Sequence, residues 1–126
     1  MAGMAEVDDY IAEQPERART VLTRMWARAL ELVPDAEQGS SYGMAALRYR
    51  DRPLLSVVVT KAGYSVFPFS PEVVAGVVPM FEGSSGITST KGGIRFTEDS
   101  LLPQHIFDRL VRDRRDEIDT ALGGKH

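Results

Sequence analysis

Apolar residues recur at intervals of three and four through the first quarter of the chain. Ala18, Val21, Leu22, Met25, Trp26, Ala29, Leu32 and Val33 follow that spacing, which predicts one apolar face on an α-helix. Pro15 fits a first helical turn and not a helix interior, so the pattern divides into a short opening turn over residues 7–13 and a main helix from Pro15 to Leu32. Pro34 ends it, because a proline pushes the residue before it out of the helical region.

Beyond Glu37 the period changes from helical to extended. Ala45 to Tyr49, Leu54 to Thr60 and Tyr64 to Phe69 are short, rich in β-branched, Leu and aromatic residues, and parted by Asp51-Arg52 and Ala62-Gly63. They predict a three-stranded antiparallel meander whose middle strand, with its unbroken run "LLSVVV", is central and buried. Pro71 to Phe81 predicts a short helix that starts at Ser70-Pro71 and carries Val73, Val74, Val77 and Val78 on one face. Its valines and Gly76 are poor helix formers, so packing must hold it.

"EGSSGITSTKGG" over residues 82–93 reads as loop with one short strand, Ile94 to Thr97 as the last strand, and Pro103 to Leu122 as a second long helix with a stripe of Ile106, Phe107, Leu110, Val111, Ile118 and Leu122. No internal repeat is evident at this level. Helix, strands, helix in this order predict an α+β two-layer sandwich: one domain over residues 1–126, core about 7–122, with two long helices on one face of an antiparallel sheet of about five strands.

Composition narrows the function classes. Zero cysteines remove disulfides, zinc-thiolate sites and a Cys nucleophile. A net charge of −3 disfavours a nucleic-acid footprint. No apolar run approaches a membrane span and the acidic start has no signal-peptide core, so a cytoplasmic protein is expected. His105 and His126 have no nucleophile in a familiar arrangement beside them, and the serines lack an evident base, so an enzyme is not expected.

Four quoted segments carry a family resemblance: "VDDYIAEQP", "PDAEQGSSYGMAALRYRDRPLLSVVVTKAGYSVFP", "TSTKGGIRF" and "LLPQHIFDRLVRDR". Together they resemble the YdhG-like family, a domain of unknown function that includes a bacterial frataxin-like protein proposed as an iron chaperone. The resemblance implies a helix-sheet-helix sandwich, weakly bound iron, and iron-sulfur or haem assembly proteins as partners. The carboxylates that would serve such a role are Glu6, Asp8, Asp9 and Glu13, hard oxygen ligands suited to a labile ferrous ion. The same residues also have a plain role in complementing a helix dipole. Asp113, Asp116, Glu117 and Asp119, interleaved with Arg109, Arg112, Arg114 and Arg115, predict a salt-bridged helix face.

A second reading needs no metal. Ser41 and Tyr42 offer hydroxyls beside Gly43, and Lys91 with the amides of Gly92 and Gly93 would form an anion-binding nest facing them, joined by Arg95 or Lys61. The architectural reading of the same residues gives Gly43 and Gly92 positive φ or a bulge, buries the Tyr42 ring, and sends Met44 into the core. Phe67 and Phe69, two apart on one strand, are expected in the core. A third reading is a homodimer that pairs through a sheet edge or through Phe67 to Phe69.

Overall fold

Prolines set the helix boundaries as expected. Pro15 is extended, with φ −60° and ψ 158°, immediately before the first long helix. The computed structural model describes residues 6–123. Its helices are α1 (Glu6–Ala12), α2 (Glu16–Leu32), α3 (Pro71–Val77), which runs into a 3-10 turn at Val78–Met80, and α4 (Gln104–Ala121). Its strands are β1 (Glu37–Ser41), β2 (Met44–Tyr49), β3 (Arg52–Val59), β4 (Tyr64–Phe67), β5 (Thr88–Ser89) and β6 (Ile94–Phe96). They form one antiparallel sheet in the order β1-β2-β3-β4-β6-β5.

This is the α+β two-layer sandwich that the periodicity predicts, with six strands in place of about five. The added strand, β1, escaped the hydrophobic pattern because its sequence "EQGSS" contains no large apolar residue. It is an edge strand held by its ladder with β2, from Glu37 opposite Arg48 to Ser41 opposite Met44. Gly39 leaves room for a neighbour: a Cβ there would stand 2.8 Å from Cδ of Arg48, whose side chain lies over it and would have to shift.

One face of the sheet carries Leu47, Leu55, Val57, Tyr64, Val66, Ile94 and Phe96, and these pack with Leu22 and Trp26 of α2 and Ile106, Leu110 and Ile118 of α4 in a single core. Full burial of each such aliphatic side chain is worth about 1.5–3 kcal/mol. The register of β3 shifts where it passes Leu47 and Arg48. The bulge adds one residue, and both Leu54 and Leu55 are fully buried.

Polar anchors tie the helices to one another and to the sheet. Arg28 of α2 donates from Nε and Nη2 to the two carboxylate oxygens of Asp108 on α4, at 2.9 and 2.8 Å. That guanidinium holds the buried Asp108 carboxyl below its ordinary range. Arg114 of α4 donates twice to the Pro53 carbonyl, at 3.0 and 2.8 Å. Helix α3 is held as its weak propensity requires: Ser70 Oγ accepts from the Val73 amide at 3.2 Å and donates to Glu117 at 2.8 Å. The acidic run of α4 is a paired face, with Arg109–Asp113, Arg114–Glu117, Arg115–Asp116 and Arg50–Asp119 bridges.

Among the described residues no helix is long and apolar enough to cross a membrane.

A candidate binding site on the uncovered face of the sheet

Side chains alternate along a strand, so the positions between the core residues face the other way. Met44, Ala46 and Arg48 of β2, Ser56 and Val58 of β3, Ser65 and Phe67 of β4 and Arg95 of β6 share this second face, and none of them belongs to the core cluster. Small residues lie deep on it: Ala46, Ser56 and Ser65 are buried. Ser56 Oγ reaches the Ala45 carbonyl at 2.7 Å.

Two grooves open on this face, divided by the Phe67 ring. The first, of about 380 Å³, is lined by Thr60, Lys61, Ser65, Thr90 and Arg95, with Phe67 and Gly93 at its wall. It carries two cations and three hydroxyls, and no carboxylate lines it. Among the described residues Lys61, Lys91 and Arg95 take part in no ion pair. The second groove, of about 290 Å³, is aromatic: Tyr42, Met44, Phe67, Phe69 and Gly92 line it, with Ser70 and Pro71 at its end.

The cationic groove is built by a short motif that occurs twice. Thr60-Lys61-Ala62-Gly63 joins β3 to β4, and Thr90-Lys91-Gly92-Gly93 joins β5 to β6. In each turn the Thr amide donates to the glycine carbonyl at 2.8 Å. In each, the glycine amide donates back to the Thr hydroxyl oxygen at 3.1 Å. Both turns thus bring their Thr to the same groove, and the first brings its Lys61 as well. Thr60 and Thr90 do not stand out by residue type, although the repeat of Thr-Lys-x-Gly thirty residues apart is a legible signal.

Gly93 has a packing reason. A Cβ there would stand 2.7 Å from two ring carbons of Phe67 and 3.0 Å from the Val66 carbonyl oxygen. The ring therefore lies directly on the glycine backbone. Gly92 differs from expectation, because it does not need positive φ and a Cβ on it would meet nothing within 4 Å. Without a positive-φ residue at 92 or 93 the expected backbone nest is not formed there; the positive charge comes from side chains.

Several expectations for this region need correction. Gly43 does have the positive φ expected of it, but in a turn and not a bulge: Tyr42 (φ 53°) and Gly43 (φ 77°) form the two-residue turn between β1 and β2, whose twist demands positive φ at both positions. The Tyr42 ring is 85% exposed and not buried. It stacks on Phe69, with ring centroids 5.7 Å apart and planes 21° from parallel. Met44, Phe67 and Phe69 are half-buried on the uncovered side and are not core residues. Strand β4 ends at Phe67, and Phe69 itself has φ 60°, an outlier for a bulky side chain.

Of the residues proposed for a ligand, the structure brings Tyr42 and the Lys91-Gly92 turn to one side of the sheet and places Arg95 in the adjoining groove. Ser41 is engaged elsewhere: its Oγ accepts from Arg48 Nη1 at 3.0 Å. Glu6, Asp8 and Asp9 lie in the first turn of α1, where the amides of Val7 and Asp8 donate to Gln38 Oε1 of β1 at 2.8 and 3.0 Å. Glu13 follows the end of that helix. Among the described residues no three His, Asp or Glu side chains gather as a metal site.

Comparisons with known proteins locate the fold. No family model matches the chain, and no curated protein matches it. A crystal structure of a protein from the DUF1801 family, YdhG of Bacillus subtilis, superimposes with a TM-score of 0.77, covering 93% of this chain and 94% of that one, at 15% sequence identity. At that identity the likeness establishes a shared fold and leaves function to the site.

Proposed function

We propose that this chain is a binding module for a small anion, a carboxylate or phosphate, held in the groove between the two Thr-Lys-x-Gly turns. One observation carries this reading: Lys61 and Arg95 line a groove that contains no carboxylate, in a protein whose net charge is −3. Five other arginines, Arg28, Arg50, Arg109, Arg114 and Arg115, are paired to acids, whereas Lys61 and Arg95 have no ion-pair partner among the described residues. An anion there gains charge-assisted hydrogen bonds from both cations. The Thr60 oxygen accepts from Gly63, which leaves its proton to donate to a bound oxygen.

Iron carriage, which the family resemblance implies, has less behind it. The carboxylates at Glu6, Asp8, Asp9 and Glu13 form no gathered set. The cleft between α3 and α4, lined by Glu72, Asp113, Asp116 and Glu117, has three of its four acids paired to arginines.

Titration calorimetry with inorganic phosphate and with acetate at low ionic strength tests the proposal. Binding is expected for the wild type and is expected to weaken about 10- to 100-fold in the Lys61→Gln/Arg95→Gln double variant, the loss that goes with charged hydrogen bonds. Both substitutions are at exposed positions, so the fold is retained. Equal binding by wild type and variant, or no binding by either, refutes the reading.

A further inference from the structure

The aromatic groove is not explained by the fold. A two-residue turn with positive φ at both positions favours Asn, Asp or Gly at the first of them, yet this chain places Tyr42 there and leaves its ring in solvent. Phe69 likewise holds a left-handed backbone that a bulky residue avoids. The two strained positions meet, ring against ring. Strain of this kind persists where surrounding structure enforces it and concentrates at ligand sites.

Position adds the second element. Phe67 is a wall of both grooves, so the aromatic stack and the cations Lys61 and Arg95 lie on either side of one ring. Gly92 borders the aromatic groove and Gly93 the cationic one. The boundary is the Phe67 ring itself, lying on Gly93, and beside it Gly92 adds no side chain, so a molecule that reaches from one groove to the other passes over the face of that ring. A flat ring would stack on Tyr42 while an anionic substituent reached the cations.

We infer that the ligand is a small aromatic acid: an anionic group in the Lys61–Arg95 groove, carried on a planar ring that packs against Tyr42 and Phe69. This rests on the anion-binding reading and specifies its ligand class. The ring supplies stacking and the anion supplies charge, so each half of the ligand contributes independently to affinity.

Calorimetry with inorganic phosphate, phenyl phosphate and cyclohexyl phosphate on the intact chain separates the two claims. Phenyl phosphate is expected to bind about tenfold more tightly than inorganic phosphate, and more tightly than the non-planar cyclohexyl ester. Tyr42→Asn suits the turn and is expected to abolish that gain while leaving inorganic phosphate binding unchanged. Gly92→Leu, whose Cβ has open space, places a side chain at the boundary and is expected to remove the same gain. If phenyl and inorganic phosphate bind the wild type equally, the aromatic inference is overturned and the anion site stands. If phosphate binding is absent altogether, both fall. Tight binding of a single-stranded oligonucleotide with none of phenyl phosphate would also overturn it, in favour of a nucleic-acid platform.

Discussion

The two faces of the sheet solve different problems with the same strands. On the helix-covered face the residues are large, aliphatic or aromatic, and buried, and their partners on α2 and α4 are equally apolar. On the other face small residues lie deep, aromatic rings stand half in solvent, and cations lie without acids beside them. Alternation along each strand assigns the faces, and burial then selects what each can hold. The first face carries the stability of the domain. The second is relieved of that duty and can keep rings in strained positions and charges unpaired, features that a core excludes.

Substitutions in the two faces should therefore differ in kind as well as size. The largest effect is expected from Leu55→Ala, which opens a cavity at a fully buried position of β3: a loss of about 2–5 kcal/mol in urea unfolding. A loss below 1 kcal/mol would show that the covered face is not the principal core. Binding of anions by the remaining folded fraction should be unchanged.

Next in size is the polar anchor of the covered layer. Asp108→Asn is expected to cost about 2–3 kcal/mol at pH 7, because it removes the charge that two guanidinium hydrogen bonds engage. The Asp108 carboxyl titrates lower in the folded chain than in the unfolded one, where its value is about 3.9. Its contribution is therefore fully present above that value and is lost as pH falls through the lower, folded one. Unfolding measured at pH 7 and again below pH 4 should show wild type and variant converging in acid. A gap that stays constant with pH would mean that packing, and not charge, is what Asp108 provides. Asp119, lowered by the Tyr49 hydroxyl and Arg50, should titrate with the same sign in both proteins.

The smallest effect sharpens the contrast most. Tyr42→Asn should stabilise the fold by about 0.5–1 kcal/mol, since asparagine tolerates the left-handed turn that tyrosine resists. Gain of stability at a residue whose loss impairs binding is the mark of a position kept for function. Destabilisation in the same unfolding assay would mean that the Tyr42–Phe69 stack serves the fold.

Strong local signals were sufficient for most of the architecture. Pro15 and Pro34 bound α2, the Ser70-Pro71 pair starts α3, the run of buried residues marks β3 as central, and the stripe from Ile106 to Ile118 orients α4. The alternating Arg and Asp of α4 predicted the paired face that the structure contains. Each of these depends on residues close in sequence, whose chemistry acts over one or two turns of backbone. Strand β1 was illegible for the opposite reason: a polar edge strand has no hydrophobic period, and only its ladder with β2 defines it.

The site divides along the same line. Tyr42, Lys91 and Arg95 stand out as candidates from residue type alone, but nothing local tells that Phe67 and Phe69 leave the core, that Ser41 is taken by Arg48, or that Thr60 and Thr90 share one groove. The sequence by itself determined which segments are helix or strand and which faces are apolar, because these follow from periodicity and turn chemistry. Only the tertiary structure decided which turns share a groove, since the antiparallel pairing of β4 with β6 sets the turns at residues 60–63 and 90–93 at the two ends of one groove. That pairing is a long-range event, and a binding groove made of two distant turns exists only once it has formed.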